Sequence, residues 1–366
     1  MFKSYKKFVI YSLLIPLPFI LFLGVLLYVY DPLQLYHEPW FRDKTYHNDM
    51  RIQAKGIIDH NDFDSVILGT SMLENTSVKE ASYKLGGRFV NLSMAASTFS
   101  ERFIILRYLI ENKNIKNVIY SLDGFTLVNG DRIQPNIERF YFLYDQNKFN
   151  DFKIYLNQHF ILCALVFSQE EQCVGRTIKL DYLLHWKKTK NTLNTLLLHN
   201  KGSIFFEKTN SFRKLNYIDN TQYIDIFLLK MLQQKNINFH LIIPTQPRVF
   251  YKLKKYRDYF DYSPENYFFS FYKNIQFIVQ QIQNYPNVKI YGFDNLNYAD
   301  NTMNYMDLVH YNIDMNSMQL DAIKNQTNIL TPENMDEYFK IMEEKIKNYD
   351  LNPLIEQIKA SGILDK

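Results

Sequence analysis

The chain of 366 residues contains few of the residues that build metal sites. Its two cysteines, Cys163 and Cys173, form no Cys-x-x-Cys pair, and no pair of histidines lies beside them, so a zinc site is not expected. In an oxidising compartment the two cysteines could join in a short-loop disulfide, and elsewhere they would stay separate thiols. The chain also lacks internal repeats and low-complexity tracts. These absences leave an ordinary globular body as the expectation.

An excess of charge is also missing from most of the chain. The formal net charge is +4, and leaving out the three lysines of the N-terminal tail reduces it to +1. A body this close to neutral offers no electrostatic footprint for nucleic acid. Hydrophobic residues make up 47% and aromatic residues 16% of the chain, which excludes intrinsic disorder.

Residues 8–30 contain no charged side chain, and their 23 residues exceed the roughly 20 that a helix needs to cross a bilayer. Lysines in the tail 1–7 precede this segment and Asp31 follows it. Positive charge before the span predicts an uncleaved single-pass anchor, with the N-terminus inside and the body facing outward. A cleaved signal peptide is the alternative, but small residues of the A-x-A kind are absent before Asp31.

Beyond a juxtamembrane arm, residues 31–62, strand-like and helix-like segments alternate. Strands are predicted at 63–69, 89–92, 117–122, 239–243 and 288–291, the last of these being the final strand. Helices are predicted from Thr98 or Ser100 to about Asn112, with Ser100 as a possible cap, and at 222–235, 265–285, 314–328 and 332–360. This alternation predicts an α/β domain over residues 63–330, a three-layer sandwich around a central, mainly parallel sheet. A largely helical insertion at about 124–215 and a C-terminal helical segment, 331–366, complete the prediction.

Two short motifs carry the chemistry. Gly69-Thr70-Ser71 follows the first strand directly, and Asp307-x-x-His310 follows the last one. A serine hydroxyl is a weak nucleophile until a neighbouring base takes its proton, which histidine does near neutral pH. A carboxylate can hold that histidine in the useful tautomer. The order serine, aspartate, histidine therefore predicts a catalytic triad at the carboxyl edge of the sheet.

The ordered motifs resemble those of the SGNH (GDSL-like) hydrolase superfamily, in its membrane-anchored envelope branch of DltD-like and AlgJ/AlgX-like proteins. Leu68-Gly69-Thr70-Ser71 is similar to the nucleophile block, and Asp307-Leu308-Val309-His310 to the terminal Asp-x-x-His block. The segments 90–97 and 120–123 stand where the second and third blocks do. The resemblance covers about 63–125 and 237–325, and the N-terminal anchor is also typical of this branch.

By this resemblance Ser71 attacks an acyl carbonyl, His310 is the general base and then acid, and Asp307 orients His310. The Ser71 backbone N–H and the turn at Ser93-Met94 would supply donors to the oxyanion. Asn91 is expected to tie loops together, with contact to substrate as the weaker alternative.

Two departures from the family pattern stand at the oxyanion side. Ser93 or Met94 replaces the usual glycine, and Asp123 stands where asparagine is usual. An ionised Asp123 would repel an oxyanion, so either Asp123 is protonated, or it points elsewhere, or a different group donates to the oxyanion. Arg248 is the candidate for a positive charge at this edge, with a surface or salt-bridged arginine as the alternative.

The resemblance implies a serine esterase or O-acyltransferase that acts, without a cofactor, on a cell-surface polysaccharide or lipid-linked saccharide. It also implies a location in the bacterial inner (cytoplasmic) membrane, with the body on the periplasmic or extracellular side, and a membrane O-acyltransferase as a possible partner. One alternative is a catalytically inactive SGNH-fold protein that binds glycans or serves in envelope assembly. Another is a structural protein of unrelated α/β fold, in which strands 63–69 and 117–122 would not be parallel neighbours.

Overall fold

The computed structural model describes residues 2–130, 136–182, 184, 217–252 and 264–360. Its centre is a six-stranded sheet in the order β2-β1-β3-β4-β5-β6. The strands are β1 (Ser65–Leu68), β2 (Phe89–Asn91), β3 (Asn117–Ser121), β4 (Asn238–Ile243), β5 (Val288–Gly292) and β6 (Ile329–Leu330). All neighbours pair in parallel except β5 and β6, which are antiparallel. The prediction of a mixed α/β fold with a mainly parallel sheet is confirmed.

The central strands are almost entirely buried, which explains their continuous apolar sequences. Ile67, Ile119 and Ile242, from three adjacent strands, lie in one hydrophobic cluster. β1 and β3 are parallel neighbours, with Ile67 opposite Ile119, as the α/β prediction required. The prediction that the strand near 288–291 is the last one is wrong, because β6 follows it. With only two residues, β6 is too short to produce a periodic signal.

The helices connect these strands and continue beyond them. They are α1 (Phe2–Leu14), α2 (Leu17–Tyr30), α3 (Met50–His60), α4 (Ser71–Glu74), α5 (Val78–Leu85), α6 (Phe99–Asn112), α7 (Gly124–Asn129), α8 (Gln158–Leu165), α9 (Glu171–Val174), α10 (Thr221–Ile224), α11 (Lys230–Leu232), α12 (Pro264–Ile282), α13 (Ile313–Asn325), α14 (Met335–Asn348) and α15 (Asn352–Ala360). A π-helical turn, Asp225–Leu229, joins α10 to α11.

Two helix predictions need correction. Thr98, rather than Ser100, caps α6, because its side chain accepts from the Glu101 N–H while the Glu101 carboxylate accepts from the Thr98 N–H. The single helix predicted over 332–360 is two helices, α14 and α15. Pro353 lies at the start of α15, where its missing N–H does not interrupt a helix.

The described residues fall into two compact units. The anchor unit is drawn from residues 1–62 and 136–183, and the sheet unit from 63–135 and 184–366. Of the predicted insertion, α7 belongs to the sheet unit, and the residues from 136 onward that precede Leu184 belong to the anchor unit. Residues 131–135, 183 and 185–216 of that insertion lie outside the described residues.

The anchor unit begins with a helical stretch, Tyr5–Tyr30, that is long and apolar enough to cross a membrane. Where this stretch ends, the Asp31 carboxylate accepts hydrogen bonds from the N–H groups of Leu35 at 2.9 Å and Tyr36 at 2.8 Å. Cys163 and Cys173 form a disulfide with a Cα–Cα distance of 5.7 Å, which decides between the two alternatives left by the sequence.

Candidate active site

The turn after β1 places the candidate nucleophile. Gly69 follows the strand, Thr70 caps α4, and Ser71 is the first residue of that helix. A side chain at position 69 has no room, because a β-carbon there would lie 2.7 Å from the Ser121 Oγ. The Gly69 N–H donates to the Ser93 Oγ at 3.1 Å, and its carbonyl accepts from the Met94 N–H at 2.8 Å. These bonds hold the backbone before Ser71 at one position.

Ser71, His310 and Asp307 form one hydrogen-bonded line. The Ser71 Oγ lies 2.7 Å from the His310 Nε2, and the His310 Nδ1 lies 2.7 Å from the Asp307 Oδ2. The His310 side chain is 25% exposed and that of Asp307 is 34% exposed, so the line is open to solvent. This is the geometry that a serine nucleophile, its base and an orienting carboxylate require.

The aspartate and histidine are placed by a loop that closes on itself. Tyr305 and Tyr311 form an antiparallel bridge, and the Met306 N–H donates to the His310 carbonyl at 2.8 Å. Within the loop, the Asp307 Oδ1 accepts from the N–H groups of Val309 at 2.8 Å and His310 at 2.7 Å. A separation of three positions between Asp307 and His310 is therefore enough for the carboxylate to reach the imidazole.

The electrostatics of Asp307 follow from this geometry. Burial alone raises the pKa of its carboxyl group. The hydrogen bond and charge of His310, with the two backbone N–H donors, lower that pKa further than burial raises it. The net pKa of Asp307 lies below its ordinary value, so Asp307 is an ionised partner for His310 at neutral pH.

The Asp123 side chain is buried and is held by hydrogen bonds inside the protein. Its Oδ1 accepts the Thr70 hydroxyl at 2.5 Å and its Oδ2 accepts the Ser121 hydroxyl at 2.6 Å. The Ser121 Oγ in turn accepts from the Thr70 N–H at 3.2 Å. Of the sequence-based alternatives, the structure matches the one in which Asp123 points elsewhere, and its role here is to hold the turn that carries Ser71.

Arg102 balances the charge of Asp123. Its guanidinium is fully buried, with Nη1 3.3 Å from the Asp123 Oδ2 and donating to the Ser121 carbonyl at 2.6 Å. The guanidinium carbon also lies 4.9 Å from the ring centre of Phe99 and 4.6 Å from that of Tyr120. A buried cation between aromatic rings and a carboxylate therefore supports the carboxylate that holds the nucleophile turn.

The predicted oxyanion donors at Ser93 and Met94 are engaged elsewhere, which corrects that expectation. The Ser93 N–H donates to the Asn91 Oδ1 at 3.0 Å, and the Met94 N–H is the donor to the Gly69 carbonyl. The Asn91 Nδ2 donates to three carbonyls near the end of α4, the closest being that of Leu73 at 2.8 Å. Asn91 thus ties loops together.

Arg248 is the salt-bridged arginine of the two alternatives, not a charge aimed at the site. Its Nε lies 3.0 Å from the Asp300 Oδ1, and its Nη2 donates to the carbonyls of Asp294 and Leu296. It therefore fixes the segment that follows β5. Burial raises the pKa of the neighbouring Asp294 to about 6, and the charge of Arg248 opposes this rise.

His159, Cys163 and Cys173 are the described residues whose side chains are of metal-ligating type and cluster within 4.8 Å. Both sulfur atoms belong to the disulfide, so neither is a thiolate ligand.

Sequence reasoning missed Thr70, Ser121 and Arg102. A signal for Arg102 was present, because it lies on the apolar stripe of α6, between Phe99 and Leu106. A charge on a buried helix face requires a partner.

Comparison of the sequence with models of known protein families and with curated proteins finds no match.

Proposed function

We infer that this chain is a membrane-anchored serine esterase or O-acyltransferase of the SGNH type, with the α/β unit as a three-layer sandwich. The observation that carries this inference is the line from Ser71 through His310 to Asp307, with both hydrogen bonds at 2.7 Å. Each group stands at the carboxyl edge of a mainly parallel sheet or in the loop beyond it, where ligands bind in such folds.

The chemistry follows from the roles of the three groups. The Ser71 Oγ attacks the acyl carbonyl while its proton passes to the His310 Nε2. The imidazolium then gives that proton to the departing alcohol as the acyl–oxygen bond breaks, which leaves an acyl-Ser71 ester. In the second half, water or a sugar hydroxyl attacks this ester while His310 takes its proton. The bond between the acyl carbon and the Ser71 Oγ then breaks, and His310 returns the proton to Ser71. Asp307 holds the tautomer and stabilises the imidazolium in both halves.

One donor to the oxyanion is available. The Ser71 N–H lies at the start of α4 and, among the residues that the structure describes, donates to no acceptor. The N–H groups of Ser93 and Met94 have partners, and Asp123 donates no hydrogen bond when ionised. This shortage favours a second candidate, an inactive SGNH-fold protein that binds a glycan or assists envelope assembly.

The anchor and the disulfide support a location on the outer side of the bacterial inner membrane. Disulfides persist in oxidising compartments, and the helical stretch Tyr5–Tyr30 is apolar enough to span the bilayer. The substrate proposed there is an acylated cell-surface polysaccharide or lipid-linked saccharide, to which a membrane O-acyltransferase could supply acyl groups.

The test is labelling of the full chain in nanodiscs with a fluorophosphonate, which phosphonylates an activated serine whatever the natural acceptor. Wild type is expected to be labelled at Ser71, Ser71→Ala to be unlabelled, and His310→Ala to react at least a hundredfold more slowly. Ser77→Ala, which removes the cap of the neighbouring α5, should react as wild type does. Labelling that is absent from wild type would leave the inactive glycan-binding protein as the conclusion.

A further inference from the structure

Large apolar side chains of the anchor unit remain exposed close to the end of α2. The exposed fractions are 75% for Val166, 67% for Phe41, and 54% for each of Trp40, Leu162 and Leu165. Single exposed apolar residues are ordinary, but a group of them marks a surface that binds something apolar. We refer to these five residues as the apolar collar.

Contacts within the anchor unit join the collar to the membrane helix. α8, which carries Leu162 and Leu165, packs on α2. The rings of Trp40 and Tyr28 lie 6.1 Å apart. Phe167 connects the two parts of the collar, because its ring is 5.2 Å from that of Tyr30 and 6.4 Å from that of Phe41. The collar therefore continues the apolar surface of the anchor sideways from its last turn.

The length of the anchor places the collar at the depth of the lipid headgroups. A bilayer core takes about 20 helical residues, and the apolar run begins at Phe8. A count of that length ends near Leu27, so Tyr28, which is 42% exposed, reaches the interface on the far side. Tryptophan and tyrosine are the residues enriched at this depth. Trp40, next to Tyr28, then lies at the same level.

The composition of α8 points to the same environment. The helix buries Phe160, Cys163 and Ala164 against the unit, yet its opposite side exposes Leu162 and Leu165. A helix between a protein core and water carries polar residues on its outer face. The outer face of α8 instead becomes apolar toward its C-terminal end, which suits an end that enters a lipid interface.

The collar is held in place before it meets any partner. The disulfide to Cys173 fixes α8 through Cys163. The Arg42 Nη2 donates to the carbonyls of Asp31 at 2.8 Å and Pro32 at 3.0 Å, which fixes the loop that carries Trp40. A surface fixed in this way loses little conformational entropy on binding.

From these observations we propose that the apolar collar binds the phospholipid interface of the membrane that holds the anchor, so that the anchor unit is seated on the bilayer in one orientation. The proposal rests on the membrane anchoring in the proposed function. It adds a second, peripheral contact between the anchor unit and the lipid, with the headgroup–acyl boundary of a phospholipid as its ligand.

The experiment uses the full chain in phosphatidylcholine–phosphatidylglycerol liposomes. The chain has two tryptophans, so Trp186→Phe leaves Trp40 as the one tryptophan, whose emission is excited selectively. Lipids brominated near the glycerol end of their acyl chains are expected to quench Trp40 at least twofold more than lipids brominated near the chain ends. Aqueous iodide is expected to quench it at least threefold less than free N-acetyltryptophanamide. Leu165→Trp, in a chain without other tryptophans, should behave in the same way.

A matched variant separates this proposal from the anchoring on which it rests. Phe19→Trp, in the same tryptophan-free chain, reports on the middle of the anchor helix and should be quenched most by the deep bromines. If Phe19→Trp is not quenched most by the deep bromines, the anchor is not in the bilayer, and both proposals fail. If Phe19→Trp is quenched in this way, while Trp40 is quenched by iodide and not by bromine, only the collar proposal fails. Shielding of Trp40 from iodide without bromine quenching also overturns the collar proposal and assigns the surface to a protein.

Discussion

The polar groups on the two sides of Ser71 differ in their exposure to solvent and in the number of hydrogen bonds that they share. Toward His310 the polar groups form a single file, and their side chains are a quarter to a third exposed. Toward Asp123 the groups are buried and share several hydrogen bonds, so that Thr70, Ser121 and Arg102 all contact one carboxylate. The exposed line from Ser71 to Asp307 can transfer a proton, whereas the buried cluster around Asp123 can only fix the position of the turn that carries Ser71. We call these the open side and the closed side. A variant on each side should therefore affect a different measurable quantity.

On the open side, Asp307→Asn is expected to give the largest effect. The amide can still accept from the backbone N–H groups of Val309 and His310 through its oxygen, so the fold of the loop survives. Its NH₂ group would face the His310 Nδ1 and force the proton onto Nε2, which can then no longer accept from Ser71. We expect fluorophosphonate labelling to slow by about 10³–10⁴-fold with unfolding little changed. Asp321→Asn, which removes the half-exposed carboxylate of an ion pair with Lys84 in the same unit, is the control. A loss of less than tenfold would contradict the assignment of Asp307.

On the closed side, Asp123→Asn tests whether Asp123 holds the nucleophile turn in place or stands in the position of an oxyanion donor. The SGNH pattern has asparagine here, so if Asp123 occupies a donor position, the variant should be labelled faster than wild type. If Asp123 only holds the turn, labelling should not become faster, and the variant would leave Arg102 buried without its counter-charge. We expect a loss of about 3 kcal/mol in the free energy of unfolding, measured by pulse proteolysis in urea.

The same cluster supplies the matched control for Asp123→Asn. Arg102→Met/Asp123→Asn removes both charges, so it should be less destabilised than the sum of the single variants by about 1–3 kcal/mol. Additive losses would mean that the two residues act independently.

Thr70 joins the two sides, and its removal should give a smaller effect on both quantities. Thr70→Val loses the donor to Asp123 and the acceptor for the Met72 N–H, which should cost about 1–2 kcal/mol of stability. The turn that carries Ser71 then shifts, and labelling should slow by about tenfold. Ser77→Ala removes an equivalent helix cap with no link to the site, so it should lower stability by about 1 kcal/mol and leave the rate unchanged. Equal rates in Thr70→Val and wild type would limit the closed cluster to a role in stability.

The sequence predicted the open side better than the closed side, for a physical reason. The open side lies within two short contiguous motifs, Gly69-Thr70-Ser71 and Asp307-x-x-His310, whose residue types are those of the reaction. The closed side is assembled from the ends of β1 and β3 and one position of α6, so it depends on the three-dimensional arrangement. The parallel strands were also predictable from the sequence, because burial on both faces leaves continuous hydrophobic segments.

The errors in the fold have a similar origin. Two residues of β6 cannot show a period, and Pro353 was compatible both with a broken helix and with the first turn of a new one. The donors expected at Ser93 and Met94 were a reasonable inference from motif position. In the folded protein, Asn91 and the Gly69 carbonyl already accept from these two N–H groups.

The smallest expected effect is a change in the acid limb of stability, again on the open side. The pKa of Asp307 in the folded protein lies below its ordinary value of 3.8, because the lowering by His310 and two backbone donors exceeds the raising by burial. A carboxyl group whose folded pKa is depressed stabilises the fold fully above its ordinary pKa, and this contribution is lost as the pH falls through the folded pKa. Below about pH 4, wild type should therefore lose stability more steeply than Asp307→Asn. Urea midpoints measured at half-unit intervals give both slopes, and parallel curves down to pH 3 would show that the Asp307 carboxylate adds nothing to folding.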